Sequence, residues 1–158
     1  VGLISDTHGL LRPAALEYLQ GCGLIIHAGD IGGADILDAL SAIAPVIAVR
    51  GNNDTAPDMQ FLRGEEFARV GAILLQVVHD RADLQRARAV PGVGVIVTGH
   101  SHKPLLEHSA GTLFVNPGSA GRRRFSLPIA IGELRIDRGG HVGAKIVNLV
   151  DGSVIAAG

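Results

Sequence analysis

Five short apolar runs in this chain each end on residues that can bind a cation, and four of those ends have a glycine close by. Leu3-Ile4-Ser5 leads into Asp6-Thr7-His8-Gly9, and Leu24–Ala28 leads into Gly29-Asp30. Val46–Val49 leads into Gly51-Asn52-Asn53-Asp54, Leu74–Val78 into His79-Asp80, and Val95–Thr98 into Gly99-His100-Ser101-His102. Continuous apolar runs separated by helix-like segments read as parallel strands buried on both faces. Open α/β sheets bind ligands at the carboxyl ends of their strands. The polar residues at these five ends are therefore expected at one rim.

The rest of the pattern frames that rim. A helix is expected near Arg12–Gln20, with Pro13 in its first turn and Gly21 past its end. A second is expected near Ala34–Ile43. Residues 55–66 read as loop or weak helix, Phe67–Val70 and Ala72–Val78 as a hairpin turning at Gly71, and Asp83–Ala89 as a short helix. After Val93–Val97 the pattern becomes all-β: Leu105–His108, Thr112–Val115, Ile129–Ile136 and Val142–Leu149. That tail is expected to form a second, largely antiparallel or mixed sheet sharing one core with the first.

Length and composition narrow the function. The 158 residues are expected to form a single domain, 1–158, since about 150 residues is one domain's worth. A net charge of −1 removes the basic footprint of a nucleic-acid coat. Aromatics at 3% argue against a base-stacking platform of the usual single-strand-binding kind. The lone Cys22 excludes an intrachain disulfide framework and a Cys-rich zinc site, which favours a reducing compartment and a cytoplasmic location. No apolar run approaches the roughly 20 residues that span a bilayer. The chain opens on a strand-like segment with no basic leader, so a signal peptide is expected to be absent or removed, with an initiator Met missing. Homo-oligomerisation is left open.

Two Asp, one Asn and four His are too many for one tetrahedral zinc. They fit two five- or six-coordinate borderline metals such as Mn, Fe, Zn, Co or Ni. Asp-x-His and His-x-His put two ligands on one side of an extended segment. A carboxylate can bridge two cations, and Asp30 is the candidate bridge. Any one of these residues alone reads as turn chemistry; seven at successive strand ends do not.

Asp6-x-His8, Gly29-Asp30, Gly51-Asn52-x-Asp54, His79 and Gly99-His100-x-His102 resemble the calcineurin-like metallophosphoesterase superfamily. Asn116-Pro117-Gly118-Ser119 resembles its small bacterial and archaeal phosphodiesterase branch, which also contains the eukaryotic retromer scaffold subunit. The resemblance implies a four-layer α/β/β/α sandwich of two mixed sheets flanked by helices. It implies one metal on Asp6, His8, Asp30 and His102, and another on Asp30, Asn52, His79 and His100, with Mn favoured. The implied activity is that of a phosphodiesterase acting on a small phosphoester. Two such cations, about 3.5–4 Å apart, lower the pKa of a bridging water, and the resulting hydroxide attacks phosphorus in line. Asp30 and Asn52 are thus expected to serve catalysis and substrate binding as well as metal.

Two positions depart from the family pattern. Asn53 stands where many relatives carry a His that protonates the leaving group. Asp80 stands where many carry Gly, and is read as a partner for a ligand or as a helix cap. Asp54 is expected to orient a loop, and His27 to be a satisfied core histidine. His108 and His141 are expected to lie outside the site. Arg122-Arg123-Arg124 reads either as a solvated loop or as a clamp on a substrate phosphate, with Arg122 the nominated contact. No Gly-x-Ser-x-Gly elbow or P-loop is present. The competing functions are a protein-binding scaffold of the retromer-subunit type and a phosphomonoesterase with the same site.

Overall fold

The computed structural model describes residues 1–85 and 90–158. Two mixed sheets stack face to face. The first contains β1 (Gly2–Ile4), β2 (Ile25–His27), β3 (Val46–Ala48), β9 (Ala130–Ile136), β10 (Val142–Asn148) and β11 (Val154–Ala157), in the order β11-β10-β9-β1-β2-β3. The second contains β4 (Glu65–Val70), β5 (Ile73–Val78), β6 (Val93–Val97), β7 (Leu105–Ser109) and β8 (Thr112–Asn116), in the order β4-β5-β6-β8-β7. β1, β2 and β3 run parallel to one another, as do β5, β6 and β8.

Side-chain alternation along the strands separates two apolar layers. Leu3 and Ile26 face the second sheet, where they meet Leu75, Val77, Val95, Val97 and Val115. Their neighbours Ile4 and Ile25 face outward onto α1 (Pro13–Leu19) and α2 (Ala34–Ser41), through Ala15, Leu19, Ile36 and Leu40. Both α-helices thus cover one face of the first sheet. Truncating a fully buried residue such as Leu75 to Ala would cost about 2–5 kcal/mol. The outer layer over the second sheet is, among the described residues, the 3-10 helix Arg81–Gln85. The rest of the helix expected over 83–89, residues 86–89, lies outside the described residues.

The sheets divide differently from the order suggested by the sequence. The later strands β9, β10 and β11 belong to the first sheet, because β9 pairs antiparallel with the free edge of β1 (Gly2↔Glu133). β5 and β6 belong to the second. The hairpin starts at Glu65 and turns through Gly71-Ala72, with Gly71 at φ 59°, the sign that the first central position of a two-residue hairpin turn requires. The loop before it contains one 3-10 turn, Pro57–Met59. Among the described residues no helix is long and apolar enough to cross a membrane.

Candidate metal centre

The five strand ends converge where the two sheets meet. His8 Nε2, after β1, lies 3.3 Å from His102 Nε2, after β6. His102 Nε2 is 3.3 Å from Asp6 Oδ1. Asp30 Oδ2, after β2, is 3.7 Å from His8 Nε2 and 3.5 Å from His79 Nε2, so one carboxylate oxygen stands between imidazoles from opposite sheets. Asn52 Oδ1, after β3, is 3.1 Å from His79 Nε2 and 2.9 Å from His100 Nδ1. Asp6, His8 and His102 form one group of donor atoms within 4.8 Å of one another, and Asp6, Asp30 and His79 form a second. Asp6 is common to both, although the resemblance assigns it to one ion.

Backbone strain is concentrated here. Asp6 (φ 53°), His8 (47°), Asp30 (53°), His100 (63°) and His102 (57°) all occupy the left-handed region. The remaining non-glycine cases among the described residues are Ala110 and Phe125. Such residues cost on the order of 1–3 kcal/mol each and persist where surrounding contacts over-determine them. Those contacts are visible. His8 N–H donates to the Asp30 carbonyl at 2.9 Å, and Asp6 N–H to the Gly29 carbonyl at 3.0 Å. Asp54 Oδ1 accepts the N–H groups of Ile31 and Gly32, and its Oδ2 accepts that of Gly51, so Asp54 orients the loop as expected. Gly51 has no room for a Cβ, which would collide with the Asp30 nitrogen and Oδ1.

Partners behind the donors set their orientation and protonation. His79 Nδ1 lies 2.7 Å from the Ala28 carbonyl, which can only accept, so the proton sits on Nδ1. Asn53 donates its backbone N–H to Asp30 Oδ1 at 2.8 Å and its side-chain amide to Oδ2 at 2.6 Å. Burial pushes the Asp30 carboxyl up, but hydrogen bonds from His79 and Asn53 outweigh it and hold the group below the usual carboxylate range. Burial pulls His79 down, and its bonds to the Asp30 carboxylate and Ala28 carbonyl more than offset this, leaving it raised. For His8 burial wins over Asp30 and Asp6, so its imidazole titrates below its ordinary value. A cation binding here would therefore displace a proton more readily from His8 than from His79.

The donor set fits a cation on a further count. Asp6 Oδ1 is buried and accepts no hydrogen bond, while Oδ2 accepts the Ser5 hydroxyl at 2.7 Å. A buried carboxylate oxygen without a hydrogen donor costs free energy unless a cation satisfies it.

Several contacts were not legible in the sequence. Asn116 Nδ2 donates to the Gly99 carbonyl at 2.6 Å and to Ser101 Oγ at 3.1 Å, pinning the loop that carries His100 and His102. Ser119 Oγ donates to the Asp6 carbonyl at 2.9 Å. The Asn-Pro-Gly-Ser segment thus braces two of the strand ends. Of its two expected roles Asp80 takes that of the cap, accepting the Ala82 N–H at 2.9 Å, while its Oδ2 lies 3.8 Å from His100 Nε2, beyond hydrogen-bond reach. His27 is fully buried and satisfied, and His141 pairs with Asp137 in the exposed turn between β9 and β10. Arg122 is exposed; of the arginine triplet it is Arg124 whose guanidinium reaches the cluster, 3.4 Å from His8 Nε2.

The model of the calcineurin-like phosphoesterase superfamily domain matches residues 1–139. The chain belongs to this superfamily. A probable metallophosphoesterase of Methanothermobacter thermautotrophicus is 34% identical over 160 residues, covering 93% of this chain and 91% of the relative. The crystal structure of the Escherichia coli phosphoesterase YfcE superposes with a TM-score of 0.78 at 27% identity, covering 100% of this chain and 98% of that one. Wild-type Vps29 of Entamoeba histolytica complexed with zinc gives 0.76 at 26% identity, covering 99% and 96%. Membership places the chain in a metal-dependent phosphoesterase family, and the Asp/His groups at the strand ends are its candidate metal ligands.

Proposed function

We propose that this calcineurin-like protein is a dinuclear metal-dependent phosphodiesterase. The observation that carries the reading is the position of Asp30 Oδ2, between His8 Nε2 at 3.7 Å and His79 Nε2 at 3.5 Å. An oxygen so placed suits a bridge between two cations. One would take Asp6, His8, Asp30 and His102; the other would take Asp30, Asn52, His79 and His100. When bound, two such ions would supply an activated water and neutralise phosphoryl charge, with Mn favoured and Fe, Zn, Ni or Co as alternatives.

The chain's own residues supply the rest. The Asp30 carboxylate is held ionised by the Asn53 backbone N–H at 2.8 Å and side-chain amide at 2.6 Å. The Ala28 carbonyl holds the His79 proton on Nδ1 and leaves Nε2 free to ligate. Asn52 combines a ligating oxygen with an amide N–H₂ that can donate to a phosphoryl oxygen. The expected substrate is a small phosphoester.

The scaffold reading is favoured by the Vps29 likeness. Since a Vps29 crystallised with zinc, metal content alone does not separate the two readings; turnover does. The test is hydrolysis of a diester and a monoester with each metal, before and after chelation, beside metal analysis. Chelator-sensitive diester turnover with two ions per chain is expected. Absence of turnover with every metal at full loading would favour the scaffold, and preference for the monoester would make the protein a phosphomonoesterase.

A further inference from the structure

The segment after Ser119 does more than close a turn. Arg12 donates from Nε and Nη2 to the Gly121 carbonyl at 3.2 and 3.1 Å. Gly121 itself lies so close to the Asp6 and Thr7 carbonyls that a Cβ would collide with Thr7 O. The base of the segment is therefore fixed against the loop that carries Asp6 and His8. From that base the chain runs to a turn closed by Leu127 N–H on the Arg124 carbonyl at 3.1 Å. Two unusual side chains sit in this turn. Arg124 Nη2 comes within 3.4 Å of His8 Nε2. Phe125 is 93% exposed and has a φ of 52°, in a chain with only four Phe, one Tyr and no Trp.

Each observation points to a ligand. His8 Nε2 is a donor atom of the candidate metal centre. With a cation on that nitrogen the Arg124 guanidinium would lose its acceptor, and an anion bound to the cation would supply another. A phosphoryl group with free oxygens meets both, and the arginine fork suits it. Phe125 bears its ring in water on a backbone conformation that β-carbon residues avoid. Phe125 directly follows Arg124 in the chain, and an exposed aromatic face is what a planar base stacks on.

We infer that the 121–127 segment selects the substrate, Arg124 binding a phosphoryl oxygen and Phe125 stacking on a planar base, so that the preferred substrate class is a nucleoside phosphodiester. The inference rests on the phosphodiesterase reading above and deepens it.

Two diesters with one leaving group test it: the p-nitrophenyl ester of thymidine monophosphate and methyl p-nitrophenyl phosphate. Both release p-nitrophenolate, so they differ only in the group retained. With Mn-loaded protein, Phe125→Ala should raise KM for the thymidine diester on the order of tenfold and leave the methyl diester nearly unchanged. Arg124→Ala should lower kcat/KM for both by about 10–100-fold, with Arg124→Lys recovering part of it. Calorimetric titration with thymidine monophosphate should show the same weakening without turnover. Metal stoichiometry should stay at the parental value in every variant, separating substrate contact from damage to the site. Equal KM changes on the two diesters for Phe125→Ala, or unchanged kinetics for Arg124→Ala in a parent that hydrolyses both, would overturn this inference alone. A parent that hydrolyses neither diester would overturn the phosphodiesterase reading and this inference with it.

Discussion

Asn53 grips Asp30 with two hydrogen bonds, its backbone N–H to Oδ1 at 2.8 Å and its side-chain amide to Oδ2 at 2.6 Å. The residue at the position of the missing acid is thereby turned into a positioning group for the carboxylate proposed to bridge two ions. Asp30 keeps its charge through these bonds and through His79, despite burial. The bridge and its support are one unit, and changes to either should be felt at both ions.

Asp30→Asn should therefore nearly abolish hydrolysis and release both ions. The loss should exceed the ~10–100-fold typical of removing an outer partner of a metal ligand. Turnover and metal content measured on the same preparation decide the matter. Two bound ions with near-parental kcat would rule out the bridge.

His102→Ala and His100→Ala should each impair turnover but deplete different ions. His102 Nε2 lies against Asp6 Oδ1 at 3.3 Å and His8 Nε2 at 3.3 Å. His100 Nδ1 lies instead against Asn52 Oδ1 at 2.9 Å. Anomalous scattering from crystals of each variant gives the occupancy of each ion separately. Loss of the same ion in both variants would contradict the assignment.

His27 should make stability fall as the solution is acidified. It is fully buried; its Nδ1 accepts the Gly29 N–H at 3.2 Å, and its Nε2–H donates to Thr7 Oγ1 at 2.9 Å. Burial lowers its pKa from 6.5 to about 3. Between those values the unfolded chain binds the proton and the folded one does not, so stability rises with pH. The contribution is whole above about pH 6.5 and is lost progressively as pH falls towards 3. At pH 5 the loss should be on the order of 2 kcal/mol. Denaturant unfolding of chelated protein at pH 7 and pH 5 measures it, and His27→Gln should flatten the difference. Equal pH dependence in parent and variant would exclude His27 as the source.

The strand ends were legible because buried parallel strands are short continuous apolar runs, and the residue after such a run must turn. Leu3-Ile4 and Val95–Val97 announce Asp6 and His100 in this way. Sheet membership was not legible. Ile129–Ile136 carries no mark that it will pair with β1 rather than with β7 at the edge of the second sheet, since both edges accept the same backbone pattern. β11 (Val154–Ala157) was not anticipated, being short, mostly exposed and without alternating burial. The sequence reads as a strand from Phe67 to Val70, and the true start at Glu65 is hidden by two charged residues on an edge strand. Within the site, spacing nominated the donors, while their bracing by Asn116, Ser119 and Asn53 depends on contacts between residues far apart in the chain. Arg124 and Arg122 are two residues apart in one triplet, and only the turn geometry tells which reaches His8.

The last prediction concerns the leaving group. A carboxamide cannot release a proton at neutral pH, and the Asn53 amide is already committed to Asp30 Oδ2 at 2.6 Å. General-acid help is worth about 10²–10⁴-fold and matters most for basic leaving alkoxides. His27 cannot substitute, because it is fully buried with both ring nitrogens satisfied. Activated aryl diesters should therefore be good substrates and alkyl esters poor ones, with rate falling steeply as the leaving-group pKa rises. Asn53→His should flatten that slope if its imidazole reaches the leaving oxygen, but it also removes the amide that holds Asp30. The variant should thus bind metal more weakly, by about 10–100-fold, as its slope declines. Measuring the slope at saturating Mn separates the two effects. A flat dependence in the parent, with chemistry shown to limit the rate, would mean that another group already donates the proton.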